Sequence, residues 1–516
     1  MLMAFGIGAN DAANSWATTV GSGALPLRWA CLLGGAMEWA GAVAIGYGVA
    51  KTIKGVAKPD APECFACGYC DSKMGLYTVA MFSALFAAAI FLLIATFTWM
   101  PVSTTHAIIG AALGATWVAT GWGCLNWAID GGLGGIVLSW VISPAVSGTL
   151  CALAWTVTQF TILNPKLGGN PRTNAIWGIP LLYSAQTFVI IFMILLKGPT
   201  TKKWPLSRMI YIAVGAAAAM FAAAIPFALL FVKKRLPSVV AARKLAADAE
   251  AGSPAGPEED AAAVPRAATR NTAGALELME KNRERVAQAK TGDGLGPPCC
   301  GLGGGAEPHS MLEEHSAAEV AKMEPGKVLG LSAEFTPDET LSEEQVDAVF
   351  CFRYLLVFVA ALESFAHGSN DTGNATGAFS AVLQTYSEGL SECSSPTTPV
   401  WVMAVAGLFV ALGVNVLGYR VIRTIGTSLT DINYHRGWSV EFASTFTVVI
   451  ATIVGMPVST THCQVGAVVA VGLCAFGPKH VSFGLFGKIF ATWILTLPFA
   501  AGIAAGMTAA LRLAVN

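Results

Sequence analysis

Residues 8–15 read GANDAANS and residues 101–106 read PVSTTH; later in the chain residues 368–375 read GSNDTGNA and residues 457–462 read PVSTTH again. All four polar stretches stand inside long apolar surroundings, and the way they recur decides the fold. Asn10, Asp11 and Asn14 return 360 residues on as Asn370, Asp371 and Asn374, while the two PVSTTH copies are 356 residues apart. Spacing that agrees to within four residues marks a duplication.

The composition sets the solvent of these halves. Of 516 residues, 54% are hydrophobic and only 12% are charged, and mean hydropathy is +0.59, so charges are too few to cover a water-facing surface. The chain reads as an all-α polytopic membrane protein. A net charge of −1 without a basic stripe argues against nucleic acid as a partner. The 55 glycines and abundant alanine suit helices packed closely in lipid.

Apolar stretches long enough to span, or to form one arm of a hairpin, lie at 27–50, 75–99, 106–120, 132–163, 174–197 and 207–232, then at 400–422, 438–455, 462–476 and 483–513. Pro101 and Pro457 interrupt two of them, so each PVSTTH is expected at the tip of a re-entrant hairpin. From 236 to 348 the composition turns to Ala, Glu, Gly, Pro, Lys and Arg, which predicts a large disordered cytosolic loop, with short helices near 275–290. It divides a first membrane repeat (1–235) from a second (349–516). Lys233, Lys234 and Arg235 favour a cytosolic end there, although Lys202, Lys203 and Arg208 fall on the side expected outside. If each hairpin enters and leaves on one face, the first repeat crosses five times. An odd count inverts the second repeat, and an inverted-repeat secondary transporter with broken helices and two re-entrant hairpins is the expected architecture.

Two features of the ends and loops add expectations. No cleavable signal peptide is visible, and a helix from Met1 to Asn10 would rise only about 15 Å, half a bilayer core, so the amino terminus is expected to lack residues. Cys64, Cys67 and Cys70 share one loop, where a disulfide or plain thiols are a better reading than zinc, because no second pair or histidine accompanies them; Cys299 and Cys300 lie in the central loop.

The motifs carry the chemistry. Asn10, Asp11, Asn14, Asn370, Asp371 and Asn374 stand where helices cross hydrocarbon, next to glycines that permit unwinding. Freed carbonyls, Asn oxygens and Asp carboxylates can surround a small hard cation such as Na+. A single such motif is equally well explained by hydrogen bonds between helices, but two matched copies are not. PVSTTH puts Pro at a helix start followed by hydroxyls and unpaired N–H groups, the setting that attracts anions. Ser103, Thr104, Thr105, Ser459, Thr460 and Thr461 are therefore candidates to hold a tetrahedral oxyanion. Ordinary N-capping explains one hydroxyl, not three in a row twice. His106, His367 and His462 adjoin these motifs and are candidates for coupling or gating, with backbone-bonded imidazoles as the bland alternative.

Buried charge points the same way. Asp11, Glu38, Glu363, Asp371 and Glu441 are acids in membrane segments, whereas Arg353, Lys488 and Arg512 lie toward segment ends. An anion site lined by carboxylates repels its substrate unless cations arrive with it, so cation-coupled uptake follows. Glu38 and Glu441 are not counterparts, because the 356-residue offset carries Glu441 to Leu85. Both are assigned to coupling or gating, against protonated, hydrogen-bonded glutamates.

GANDAANSWATTVGSG (8–23), SFAHGSNDTGNA (364–375), VEFASTFTVVIATIVGMPVSTTHCQVGAVVAVG (440–472) and SWVISPAVSG (139–148) together resemble the inorganic phosphate transporter (PiT) family, of the sodium–phosphate symporter type. The resemblance covers 1–235 and 349–513. It implies phosphate carried with Na+, or with H+ in some members. The Asp-Asn motifs would hold cations, with Asp11 and Asp371 also near the phosphate, and the Ser-Thr-Thr tips would hold the anion. Glu38 in MEWAG and Glu441 in VEFAS would match functional glutamates of the family. The second motif departs from the family's usual GGND or GAND by reading GSND. The resemblance implies no cofactor beyond the co-transported ion; a lipid environment, a plasma membrane setting and a homodimer are further expectations. A sulfate permease of the same fold is the nearest rival, separated by the ability of phosphate to donate a hydrogen bond to a carboxylate. An enzyme is disfavoured, since symmetric copies supply no single nucleophile and base. A sensor with a transporter fold is a third class.

Overall fold

The computed structural model describes residues 1–45, 56, 74–129, 132–164, 168–197, 201, 203–233, 341–388, 398–422, 430–454 and 458–514. The central loop, Cys64, Cys67, Cys70, Cys299, Cys300, Lys202, Lys234, Arg235 and Pro457 lie outside them. Among the described residues the secondary structure is helical. The first half contributes α1 (Leu2–Gly21), α2 (Leu27–Ile45), α3 (Met74–Phe97), α4 (Thr104–Thr120), α5 (Leu133–Thr158), α6 (Pro171–Lys197) and α7 (Leu206–Pro226). The second contributes α8 (Glu343–Glu388), α9 (Val400–Leu417), α10 (Tyr434–Val454), α11 (Thr460–Phe476) and α12 (Phe483–Leu511). Seven of the described helices are long and apolar enough to cross a membrane, and the protein is integral to it.

The two hairpins are built alike. Helices α4 and α11 have 17 residues each, about 25 Å at 1.5 Å per residue, and start where the chain breaks. Ser103 and Ser459 are their N-caps, in extended backbone, with Oγ accepting from His106 N and His462 N at 3.2 and 3.3 Å. Both end on a glycine of positive φ, Gly121 at 94° and Gly477 at 80°, followed by a three-residue 3-10 turn. Pro101 therefore lies outside helix α4, two residues before its cap, rather than in its first turn as the sequence suggests.

The GxND segments correct a second expectation. They do not unwind: α1 and α8 run as continuous helices through GANDAANS and GSNDTGNA. Their polar side chains find partners on the hairpin tips, so the backbone need not open to satisfy them. The last helix-bearing stretch of the cytosolic-loop region also starts earlier than the composition suggests, since α8 begins at Glu343 rather than 349.

Helix pairing is reciprocal. Helix α1 packs on α9 while α8, its sequence counterpart, packs on α2; α4 packs on α12 while α11 packs on α5. Glycine makes the first crossings possible. A Cβ on Gly8 would stand 1.9 Å from the Val410 carbonyl oxygen, and one on Gly368 would stand 2.1 Å from that of Glu38. Since Gly8 and Gly368 are counterparts, this contact also relates Glu38 to Val410. Contacts from Ala24–Arg353 through Trp16–Ser364 to Asp11–His367 show α1 and α8 antiparallel, as inverted halves require. Gly8→Ala and Gly368→Ala should each cost at least about 1–3 kcal/mol of overpacking, read as a lowered thermal midpoint of the purified protein. An unchanged midpoint for both would contradict the crossing.

Candidate functional site

Both hairpin tips and both GxND segments converge in the interior, where Asn10, Asp11, Asn14, Asp371, Asn374, Thr104, Thr105, Thr460 and Thr461 are all buried. Each GxND segment binds two tips. Its Asp meets the tip of its own half: Thr104 Oγ1 donates to Asp11 Oδ2 at 2.6 Å and Thr460 Oγ1 to Asp371 Oδ2 at 3.3 Å. Its second Asn meets the tip of the other half. Asn14 Nδ2 donates to Thr460 Oγ1 and Thr461 Oγ1 at 3.0 Å, and Asn374 Nδ2 to Thr105 Oγ1 at 3.1 Å. The offsets of 360 and 356 convert Asp11–Thr104 into Asp371–Thr460 and Asn14–Thr461 into Asn374–Thr105, so these bonds repeat about a pseudo-twofold, whereas Asn14–Thr460 belongs to one side. Thr461 Oγ1 also lies 3.3 Å from the Val102 carbonyl oxygen and 3.5 Å from Asp11 Oδ1, tying the tips together.

The first Asn of each motif behaves differently. Asn10 is spent on the first tip: its Nδ2 donates to Thr96 Oγ1 and Met100 O, and its Oδ1 accepts from Val102 N at 2.9 Å. Asn370 is only half-buried and donates to Asp371 Oδ1 at 3.1 Å. Ser103 and Ser459 direct their oxygens to the caps described above. Among the oxyanion candidates, Thr104, Thr460 and Thr461 are the hydroxyls that meet the acids, and Thr105 meets the Asn374 amide.

His367 sits between the acids. Its Nε2 is 2.7 Å from Asp371 Oδ2 and 3.4 Å from Asp11 Oδ2, and its Nδ1 is 2.7 Å from Glu38 Oε1. Asp11, His367 and Asp371 offer ligand atoms within 4.8 Å of one another, close enough to share one cation. The pseudo-twofold fails here, because the counterparts of His367 and Glu38 are Ile7 and Val410. His106 and His462 do not join this group. Their rings meet edge to face, 4.7 Å apart between centroids across the pseudo-twofold, flanked by Trp140 at 5.2 Å from His106 and Trp493 at 3.8 Å from His462. Glu441 lies apart from the acids of the centre, accepting from Thr18 Oγ1 and, at 2.8 Å, from Gln464 Nε2. Thr18, Gln464 and Ser444, which donates to Glu363 at 2.7 Å, are not singled out by the motifs. The signal that finds them is a polar residue in one half where the other half is apolar.

Two polar hairpin tips held face to face inside a helical membrane protein, each cross-bonded to the other repeat, define a secondary transporter rather than an enzyme. The model of the phosphate transporter family matches residues 7–504, and the chain belongs to that family. Its relatives include the phosphate-repressible phosphate permease pho-4 of Neurospora crassa, 28% identical over 98% of this chain and 94% of its own length. The sodium-dependent phosphate transporter 1 of Rattus norvegicus is 26% identical over 98% and 93%. A solved structure titled "The sodium-dependent phosphate transporter" aligns over 99% of this chain and 96% of its own, with a TM-score of 0.69 and 26% identity. Phosphate is thus the transported substrate class.

The unequal duties of the first asparagines give a test. Asn10→Ala leaves Val102 N–H and Met100 C=O without their partner, at about 1–3 kcal/mol for each buried group. Its thermal midpoint should fall further than that of Asn370→Ala, and equal losses would contradict the assignment.

Proposed function

We propose that this protein carries inorganic phosphate across the plasma membrane together with Na+, by alternating access around the central site. The observation that carries this reading is the cross-bonded lattice of two aspartates and four tip threonines. Two carboxylates in a low-dielectric interior repel a phosphate anion by Coulomb forces that water would otherwise screen. A cation held by Asp11 and Asp371, with Asn14 and Asn374 completing an oxygen-rich shell, removes that repulsion. Phosphate would then accept from Thr104, Thr105, Thr460 and Thr461 and from the first-turn N–H groups of α4 and α11. A protonated phosphate oxygen can donate to an aspartate, which sulfate cannot do. His367, held by Glu38, couples the state of the two acids to the rest of α8.

Sidedness has two independent supports. Lys233, just after the π-helical turn that continues α7, favours the cytosol. Counting back through α6 and α5 puts the turn after α4 on the opposite face, and Cys124 in that turn is disulfide-bonded, as outer surfaces allow.

The test is phosphate uptake into proteoliposomes under imposed gradients. An inward Na+ gradient should drive uptake, and a proton gradient alone should not; the reverse result would replace Na+ by H+ as the coupling ion. Excess sulfate should leave uptake unchanged, and strong inhibition would contradict the phosphate assignment. Asp11→Asn and Asp371→Asn should each lower Na+-driven uptake at least about a hundredfold, roughly 2.7 kcal/mol, with normal amounts of protein in the vesicles. Uptake that survives both substitutions would overturn the central site.

A further inference from the structure

Just before the first hairpin tip, the backbone is strained at a residue that takes no part in the lattice described above. Helix α3 ends in a Schellman cap, in which Met100 N–H reaches Ala95 O at 2.9 Å and Trp99 N–H reaches Thr96 O at 3.1 Å. Such a cap needs left-handed backbone at its turning residue, a conformation that glycine takes without strain. Here that residue is Trp99, at φ 62°, and among the described residues it is the one non-glycine with positive φ. A tryptophan held there stores strain, which persists only where surrounding contacts hold it.

Those contacts come from the end of α9. The Arg420 guanidinium carbon lies 5.4 Å from the Trp99 ring centroid, 5.1 Å from that of Phe97 and 5.7 Å from that of Tyr419. Trp99 and Tyr419 also meet edge to face, with centroids 6.1 Å apart. Arg420 Nε donates to Tyr419 Oη at 3.2 Å, and its Nη1 lies 3.5 Å from the Phe97 carbonyl oxygen at the end of α3, where a cation suits the helix dipole.

Position gives the stack its meaning. Asn10 ties Thr96, Met100 and Val102 together, so the segment clasped by Arg420 is the one that leads into Thr104 and Thr105. On α9, Val410 crosses α1 at Gly8 and Gly418 meets Ala12, so Arg420 stands beyond Asp11 toward the end of α1. Ala24, just past that end, shares a core cluster with Val232 at the close of α7, on the cytosolic face in the orientation proposed above. The stack therefore bridges hairpin and helix on the cytosolic side of the site.

The duplication sets this pair apart. GYGVAKTI (46–53) returns as GYRVIRTI (418–425), an offset of 372 that also relates Glu38 to Val410. It carries Arg420 to Gly48, while the hairpin offset of 356 carries Trp99 to Gly455. The sequence of the other repeat thus has glycine in both places, including the residue that a Schellman cap ordinarily takes, and the arginine–tryptophan pair belongs to one face alone.

We propose that Arg420 and Trp99 are positioning residues of the transport reaction: stacked, they hold the first hairpin tip over the phosphate site and keep the cytosolic face shut. This rests on the alternating-access reading and the orientation given above. Breaking the stack shifts the equilibrium toward the form open to the cytosol, and phosphate arriving from outside then finds its own form less populated.

Phosphate transport into right-side-out and inside-out membrane vesicles, from cells making the full-length protein, tests it. Arg420→Gln and Trp99→Gly should each raise KM for phosphate presented at the outer face about tenfold, and leave KM at the cytosolic face unchanged or lower. Arg420→Lys, which keeps a cation over the rings, should recover part of the loss. Trp99→Gly puts the cap's preferred residue at the strained position, so it keeps the test open if Arg420→Gln fails to fold. A purely structural role would instead lower the maximal rate equally in both orientations with KM unmoved, and that result in the folded variants would overturn the proposal. A KM shift that is equal at both faces, or confined to the cytosolic one, would overturn it as well. Wild-type vesicles that carry no phosphate in either orientation would overturn the proposed function itself.

Discussion

Two carboxylates brought together inside a membrane protein constrain everything around them. Asp11 and Asp371 are buried, close enough to share His367 Nε2, and reached by hydroxyls from helix tips that cross the interior from opposite repeats. Charge of one sign in a low-dielectric place must be met by hydrogen bonds, by an imidazole or by an incoming cation. The structure supplies the first two, and the proposed transport cycle supplies the third. Helix crossings at Gly8 and Gly368, where no Cβ fits, bring the acids to that position.

Duplication explains both the symmetry of the site and its departures from symmetry. Asp11–Thr104 converts into Asp371–Thr460 and Asn14–Thr461 into Asn374–Thr105 under the repeat offsets, which suits the proposed grip on an anion from two sides. Acidic and imidazole groups beyond the aspartates follow no such rule. Glu38, His367, Glu363, Glu441 and Gln464 face apolar counterparts in the other half. A transporter has to treat its two faces differently at some point in its cycle, and these residues are where the two halves differ in kind rather than in detail.

Much of this was legible in the chain itself. GANDAANS, GSNDTGNA and the paired PVSTTH stretches announced the duplication, the membrane class and the meeting of hairpin tips, because polar motifs at matched spacing in apolar segments leave few other readings. What the chain did not disclose is which polar side chains are committed to structure. Ser103 and Ser459 look like threonine's equals in PVSTTH yet serve as helix caps, and Asn10 holds a hairpin tip while Asn14 crosses between repeats. Glycine content points to helix unwinding at the GxND motifs, but side-chain partners from both repeats satisfy those motifs with the helices intact. Partners several hundred residues away in sequence, such as Thr18 with Glu441, carry no local signature at all.

In the proposed cycle, anion and cation share one site and need each other there. The most direct measurement is phosphate affinity of the purified protein as a function of Na+ concentration, paired with Na+ affinity as a function of phosphate. Each ligand is expected to tighten the other by the same factor, at least about tenfold, as linkage requires when both act through one centre. Phosphate affinity that does not change between Na+-free and Na+-saturated protein would contradict it.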